Sequence, residues 1–255
     1  HHPDVRRMLM LMKAQIEAMR GMAYLAAAHL DHSHRAEDDA DRLAHRTRVD
    51  LLVPIVKGWC TEQANEVASL AIQVHGGMGY VEETGAAQHY RDARIAAIYE
   101  GTTGIQAQDL AGRKIIRDRG RAVGQLADDM RATVAELREA GGELTAVADS
   151  LDEGIGTLDK AVARLLGSYE DDVYAANAMA VNLMMLAGTV TGGWVLAREA
   201  LAAQARRGDG ADPYFASKIV TARFYAGHVM PRARAYADAL ATGSADIMAL
   251  AEDQF

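Results

Sequence analysis

From Val173 to Ala197 the chain runs 25 residues without a formal charge, and Gly188-Thr-Val-Thr-Gly192 inside that run has a GxxxG spacing. Roughly 20 apolar residues suffice to span a bilayer, and GxxxG lets two helices pack closely. A segment this apolar must be buried, either in lipid or in protein. Asn177, Asn182, Thr189, Thr191 and the Gly192-Gly193 pair interrupt the apolar character. Asp171-Asp172 and Arg198-Glu199 flank it without the cationic asymmetry of a membrane span. The favoured reading is a helix at the centre of a helical bundle, with no membrane span. A membrane-attached helical subunit is the alternative.

The rest of the sequence supports that choice. Only four prolines occur in 255 residues, and none lies between Pro54 and Pro213. Aromatic residues are 5 % and no alternating Val/Ile/Thr run appears, so the composition is helical and the expected fold is all-α. Val5, Leu9, Met12, Ile16, Met19, Ala23, Ala26 and Leu30 recur at steps of three and four, the apolar stripe of a first helix. The polar stretch Asp31–Asp41 reads as a loop, a second helix is expected from near Asp50 to His75, and Gly76-Gly77-Met78-Gly79 stops it. Beyond Gly120 the expected breaks are Gly141-Gly142, Gly154–Gly156, Gly167-Ser168 and Gly208–Gly210, and Pro231 divides the last helix. The natural boundary lies near residue 120, giving units 1–118 and 119–255.

Charge and cysteine content narrow the function. A formal net charge of −8 argues against nucleic acid or an anionic membrane as a main partner. The single Cys60 excludes an internal disulfide and suits a reducing compartment, so the expected location is cytoplasmic. His29, His32 and His34 read better as a solvated helix end than as metal ligands, because no Glu-x-x-His pair accompanies them. Gly76-Gly77-Met78-Gly79-Tyr80 could present backbone N–H groups to a phosphate, although it equally suits a helix-ending turn. Glu100 follows the apolar run Ile95-Ala-Ala-Ile-Tyr99 and is expected in a buried connection, where desolvation makes a carboxylate a stronger base. Gly101 lets a substrate approach the backbone, and Thr102 and Thr103 offer hydroxyls at a helix start.

Gln73-Val-His-Gly-Gly-Met-Gly-Tyr80, Arg91-Asp-Ala-Arg94 and Ile98-Tyr-Glu-Gly-Thr-Thr-Gly-Ile-Gln106, in this order and spacing, resemble the C-terminal helical domain of the acyl-CoA dehydrogenases. The resemblance covers about residues 1–118, a four-helix bundle. The remainder resembles the additional C-terminal helical domain of the larger bacterial members. It implies that Glu100 is the catalytic base that removes the α-proton of an acyl-CoA thioester, with hydride passing to FAD and an electron-transfer flavoprotein as acceptor. Gly101 matches a substrate-contacting position, and Thr102, Thr103 and Gly104 match positions near the flavin, Gly104 replacing a polar side chain of many members. Gln73, Val74, His75, Gly76 and Gly77 match the loop that receives the FAD of a neighbouring subunit, which makes a homodimer the expected assembly. His2 matches the start of another FAD-contacting segment, although His1-His2 could also be a tag remnant.

The family's N-terminal helical domain and middle β-domain have no counterpart in these 255 residues. The expectation is therefore a fragment, a proteolysis product or half of a split enzyme, inactive and free of FAD by itself. A non-catalytic helical assembly module is the competing reading, which the intact motif around Glu100 disfavours.

Overall fold

The computed structural model describes residues 2–207 and 212–255, and among these it contains helices and turns with no strand. Two long helices form an antiparallel hairpin, α1 (Pro3–Arg35) and α2 (Asp39–His75). Short elements follow: α3 (Gly77–Tyr80), α4 (Ala86–Ala96) and α5 (Thr103–Gln108), the last continuing into a π-helical stretch, Asp109–Ile116. The remaining helices are α6 (Arg121–Ala140), α7 (Thr145–Asp171), α8 (Val173–Arg206), α9 (Pro213–His228) and α10 (Pro231–Ala241).

Helix boundaries follow from caps. The Asp38 carboxylate accepts the N–H of Asp41 at 3.0 Å and starts α2, a capping bond that satisfies an otherwise orphaned donor. The second helix therefore begins eleven residues before the expected Asp50, leaving only Ala36–Asp38 between the helices. Pro54 lies inside α2 and is buried among Leu51, Leu52, Ile55 and Trp59. That packing carries the helix through the hydrogen bond the proline lacks. Gly120 (φ 77°) opens α6, and Gly141 and Gly142 (φ 64° and 55°) end it as expected. Gly154, Gly156 and Gly167, expected as breaks, all lie within α7. Gly154 is there for proximity: a Cβ built on it would sit 2.4 Å from Met230 Cε. The expected break at Gly208–Gly210 falls outside the described residues.

Helix α8 is the axle of the fold. It packs on α1, α2, α5, α6, α7, α9 and α10. By length and composition it could cross a membrane, yet 89 % of its apolar window is buried inside the protein. Its glycines explain how so many neighbours reach it. A Cβ on Gly188 would lie 2.2 Å from Trp59 Cγ, and one on Gly192 would lie 2.7 Å from Tyr225 Oη. Gly193 likewise meets Met230 Sδ at 2.6 Å. The Tyr225 hydroxyl donates to Thr189 O at 2.9 Å, and Thr189 and Thr191 return their hydroxyls to Met185 O and Ala187 O. Buried polar atoms on α8 are thereby satisfied, as burial demands.

One face of α1 differs from expectation. Met8, Leu11, Ala14, Gln15, Ala18 and Met22 are buried, whereas Leu9 and Leu30 of the expected stripe are 47 % and 40 % exposed. Small residues decide the rotation: a Cβ on Gly21 would meet Val195 Cγ1 at 2.2 Å, so α1 turns its Ala/Gly side to α8. A single buried cluster runs from Leu11 to Leu240.

Glycine substitutions test this arrangement. Gly188→Ala should lower the thermal midpoint by several degrees, since overpacking against Trp59 costs about 1–3 kcal/mol. Gly124→Ala in α6, where the added methyl meets nothing within 4 Å, should gain about 0.5–1 kcal/mol from helix propensity. Thermal melts followed by circular dichroism read both. Equal effects of the two would contradict the close approach at Gly188.

Candidate functional site

The connection between α4 and α5 holds Glu100, and the backbone there is unusual. Glu100 adopts φ 52° and Gly101 φ 92°. A left-handed conformation at a non-glycine residue is uncommon and costs energy that its surroundings must supply. Three contacts supply it. Lys57 Nζ from α2 donates to Gly101 O at 2.5 Å, Gln106 Nε2 donates to Glu100 O at 3.4 Å, and Thr103 N donates to Ala97 O at 3.1 Å. The Thr103 hydroxyl donates to the Glu62 carboxylate of α2, while Thr102 Oγ1 caps α5 by accepting from Ile105 N at 3.3 Å. The two threonines thus brace the loop from inside, each hydroxyl already engaged.

What the loop leaves open is chemically useful. Among the described residues no acceptor takes the N–H of Glu100, Gly101 or Thr102. The Glu100 side chain is exposed, which corrects the expected buried connection. Of the run that precedes it only Ala97 turns inward (3 % exposed), and Ile95, Ile98 and Tyr99 stay about half exposed, at 52 %, 48 % and 53 %. Desolvation of Glu100 is therefore not supplied by this chain. Lys57, Glu62 and their roles were not visible in the sequence, because their partners lie 41 to 44 residues away. Gln106 belonged to the quoted motif.

The glycine turn after α2 is a separate place. Gly76 (φ 62°) needs glycine for its backbone, and Gly79 needs it for packing, since a Cβ there would sit 2.3 Å from Ile72 O. Gly77 needs it for neither, because its φ is ordinary and an added Cβ meets nothing within 4 Å. Gln73, His75, Gly76 and Gly77 are exposed and Val74 is half-buried; His75 Nδ1 bonds Ala71 O at 2.8 Å. Lys57, which holds Gly101, and Gly76 are 19 residues apart on α2, about 28 Å at 1.5 Å per residue. His2, exposed at the start of α1, makes no side-chain cap. The structure brings Glu100 to Gly104 together and keeps the Gly76 turn apart from them.

Two family models match, acyl-CoA dehydrogenase C-terminal domain over residues 1–115 and acetyl-CoA dehydrogenase C-terminal like over residues 126–251. The chain belongs to the acyl-CoA dehydrogenase family. It is 45 % identical over 230 residues to 3-methylmercaptopropionyl-CoA dehydrogenase of Ruegeria pomeroyi, covering 90 % of this chain and 39 % of that protein. It is 34 % identical to the broad-specificity linear acyl-CoA dehydrogenase FadE5 of Mycobacterium tuberculosis, across 100 % of this chain and 43 % of that one. The fold matches an acyl-CoA dehydrogenase complexed with FAD from Bacillus anthracis with TM-score 0.73 at 16 % identity, covering 94 % of this chain and 41 % of that chain. The chain thus spans about two fifths of the length of the acyl-CoA dehydrogenases it matches.

Burial pushes the Cys60 thiol up to about 12, which removes it as a nucleophile. Among the described residues no group of three His, Cys, Asp or Glu could hold a metal ion. His34 is exposed, whereas His29 faces His45 of α2 with their Nδ1 atoms 2.7 Å apart, and His32 stacks on His45.

Burial, then the Arg48 guanidinium and His45, lower the His29 pKa to about 4. The unfolded chain thus binds a proton at His29 that the folded chain resists, so stability is fully present above pH ~6.5 and is lost as pH falls toward 4. Thermal midpoints measured between pH 7 and 4 should fall less steeply for His29→Leu than for the parent. Parallel curves would show that His29 carries no such linkage.

Proposed function

We propose that this chain is the base-bearing C-terminal portion of an FAD-dependent acyl-CoA dehydrogenase, which converts an acyl-CoA thioester to a trans-2-enoyl-CoA. The observation that carries it is the braced left-handed Glu100-Gly101 loop, which presents a carboxylate beside unpaired backbone N–H groups. In this reading Glu100 takes the α-proton, and its N–H polarises the thioester carbonyl as an oxyanion-hole donor does. Bound FAD would accept the β-hydride. Gly101 would admit the thioester, and Thr102, Thr103 and Gly104 would hold the loop beside the flavin. The half-exposed Ile95, Ile98, Tyr99 and Ile105 rim would be covered by the remainder of the enzyme, which would also supply the desolvation Glu100 lacks here.

Gly77 supports a place for cofactor, since nothing among the described residues requires its missing side chain. Separation of about 28 Å from the Gly101 loop along α2 favours receipt of an FAD held by a second copy, with Gln73, Val74, His75 and Gly76 forming the approach and His2 a further contact. A homodimer, cytoplasmic location, absence of a membrane span and an electron-transfer flavoprotein as acceptor belong to the same reading. The chain alone would be colourless, because too few cofactor contacts remain to offset the cost of association.

In the complete enzyme, Glu100→Gln should keep FAD and acyl-CoA binding and lose nearly all turnover, measured by enoyl-CoA formation. A residual kcat above a tenth, a penalty under ~1.4 kcal/mol, would place the base elsewhere. Gly77→Ala should leave the thermal midpoint unchanged and weaken FAD retention. Equal FAD dissociation constants would show that the turn only ends a helix.

A further inference from the structure

We infer that the groove where the π-helical stretch meets the start of α6 is a second ligand site, one for a phosphoryl anion of the diphosphate class. The segment Arg113-Lys-Ile-Ile-Arg-Asp-Arg-Gly-Arg121 carries five cations and one carboxylate in a chain of net charge −8. Arg113, Lys114, Arg117 and Arg121 line a cavity of about 480 Å³ against Asp50 and Asp118. Both carboxylates are already in use. Asp118 accepts Gly120 N at 3.0 Å and Ala122 N at 2.9 Å, and Asp50 lies between Arg46 at 3.6 Å and Lys114 at 4.0 Å. Arg113 pairs with Asp109 outside the cavity lining. Arg117 and Arg121 have no ion-pair partner among the described residues, so the groove keeps two guanidinium forks unanswered.

The backbone that brings them together is itself uncommon. Arg117 N donates to Gly112 O and Gly120 N to Ile115 O, both five residues back, at 3.1 and 2.8 Å. Arg119 has φ 57°. Wide π-helical turns of this kind recur at functional sites, and strain at a non-glycine residue persists only where the surroundings fix it. Planar guanidinium groups favour bidentate partners with paired oxygens, the geometry of phosphate esters. The cavity is large enough for two linked phosphoryl groups and offers little apolar surface for anything bulkier.

None of the residues lining this cavity forms or braces the Glu100 loop, and the site does not depend on the dehydrogenase reading. A free diphosphate or the diphosphate of a coenzyme A molecule would present the same chemistry. Isothermal titration of the full chain with inorganic pyrophosphate, at fixed ionic strength, tests it. Saturable binding at one site per chain is expected, weakened at least tenfold by Arg117→Gln with Arg121→Gln and unchanged by Arg6→Gln on α1. Arg117→Gln alone serves if the pair fails to melt cooperatively. Displacement of pyrophosphate by coenzyme A would assign the coenzyme as the source, and indifference to it would assign a free diphosphate. Absence of saturable heat, equal affinity in the double variant, or equal weakening by Arg6→Gln would overturn the inference.

Discussion

Trp59 packs directly against the backbone of α8 because residue 188 has no side chain. That contact joins the α1–α2 hairpin to the helices that follow residue 120, and much else hangs on it. With Gly188 and Gly192 bare, Trp59 from α2, Ala18 from α1 and Tyr225 from α9 converge on one turn of α8. The same absence of side chains explains why so apolar a helix sits in the protein interior. Its small face accepts neighbours at distances that a Cβ would forbid, and the dispersion contacts so gained are many. Among the described residues two buried donors are left without an acceptor, Trp59 Nε1 and Arg48 Nη1; nothing in the packing accounts for the indole N–H.

The candidate site depends on this core through α2. Lys57 and Glu62, which brace the Glu100 loop, flank Trp59 by two and three residues. A helix fixed by burial of Trp59 therefore holds the donor and acceptor that keep a carboxylate in a left-handed backbone. Gln15 and Arg232 anchor Glu66 further along the same helix, Arg232 through two bonds of 2.6 and 2.7 Å. The arginine outweighs burial and holds the Glu66 carboxyl below its usual range. Rigidity of this kind suits the role proposed for Glu100, a base that must meet a weakly acidic C–H in one geometry.

Much of this was legible in the sequence. The charge-free run Val173–Ala197, the scarcity of proline and the three ordered motifs sufficed for an all-helical chain of the acyl-CoA dehydrogenase family. What escaped was orientation. Periodicity in α1 is nearly balanced between two faces, and Gly21 against Val195, invisible without the partner helix, decides which is buried. The apolar run before Glu100 suggested desolvation, but an apolar residue in a short connection faces whatever covers it, and here only Ala97 faces this chain's own core. Gly154 and Gly167 look like punctuation in the sequence and are helical: at Gly154 close packing against Met230 overrides a propensity cost of about 1 kcal/mol, and Gly167 is carried within the length of α7. Gly77 was read with its neighbours as one turn; only the geometry separates the glycine needed for φ from the one needed for nothing inside the chain.

If α8 is the shared axle, the chain opens as one cooperative unit. Native-state hydrogen exchange in increasing denaturant measures this directly. The account predicts that amides around Trp59 in α2 and around Gly188 in α8 converge on one opening free energy with the same denaturant slope. Earlier opening of α2, while α8 to α10 remain protected, would mean that the two halves are separate units and that the Trp59–Gly188 contact does not bind them.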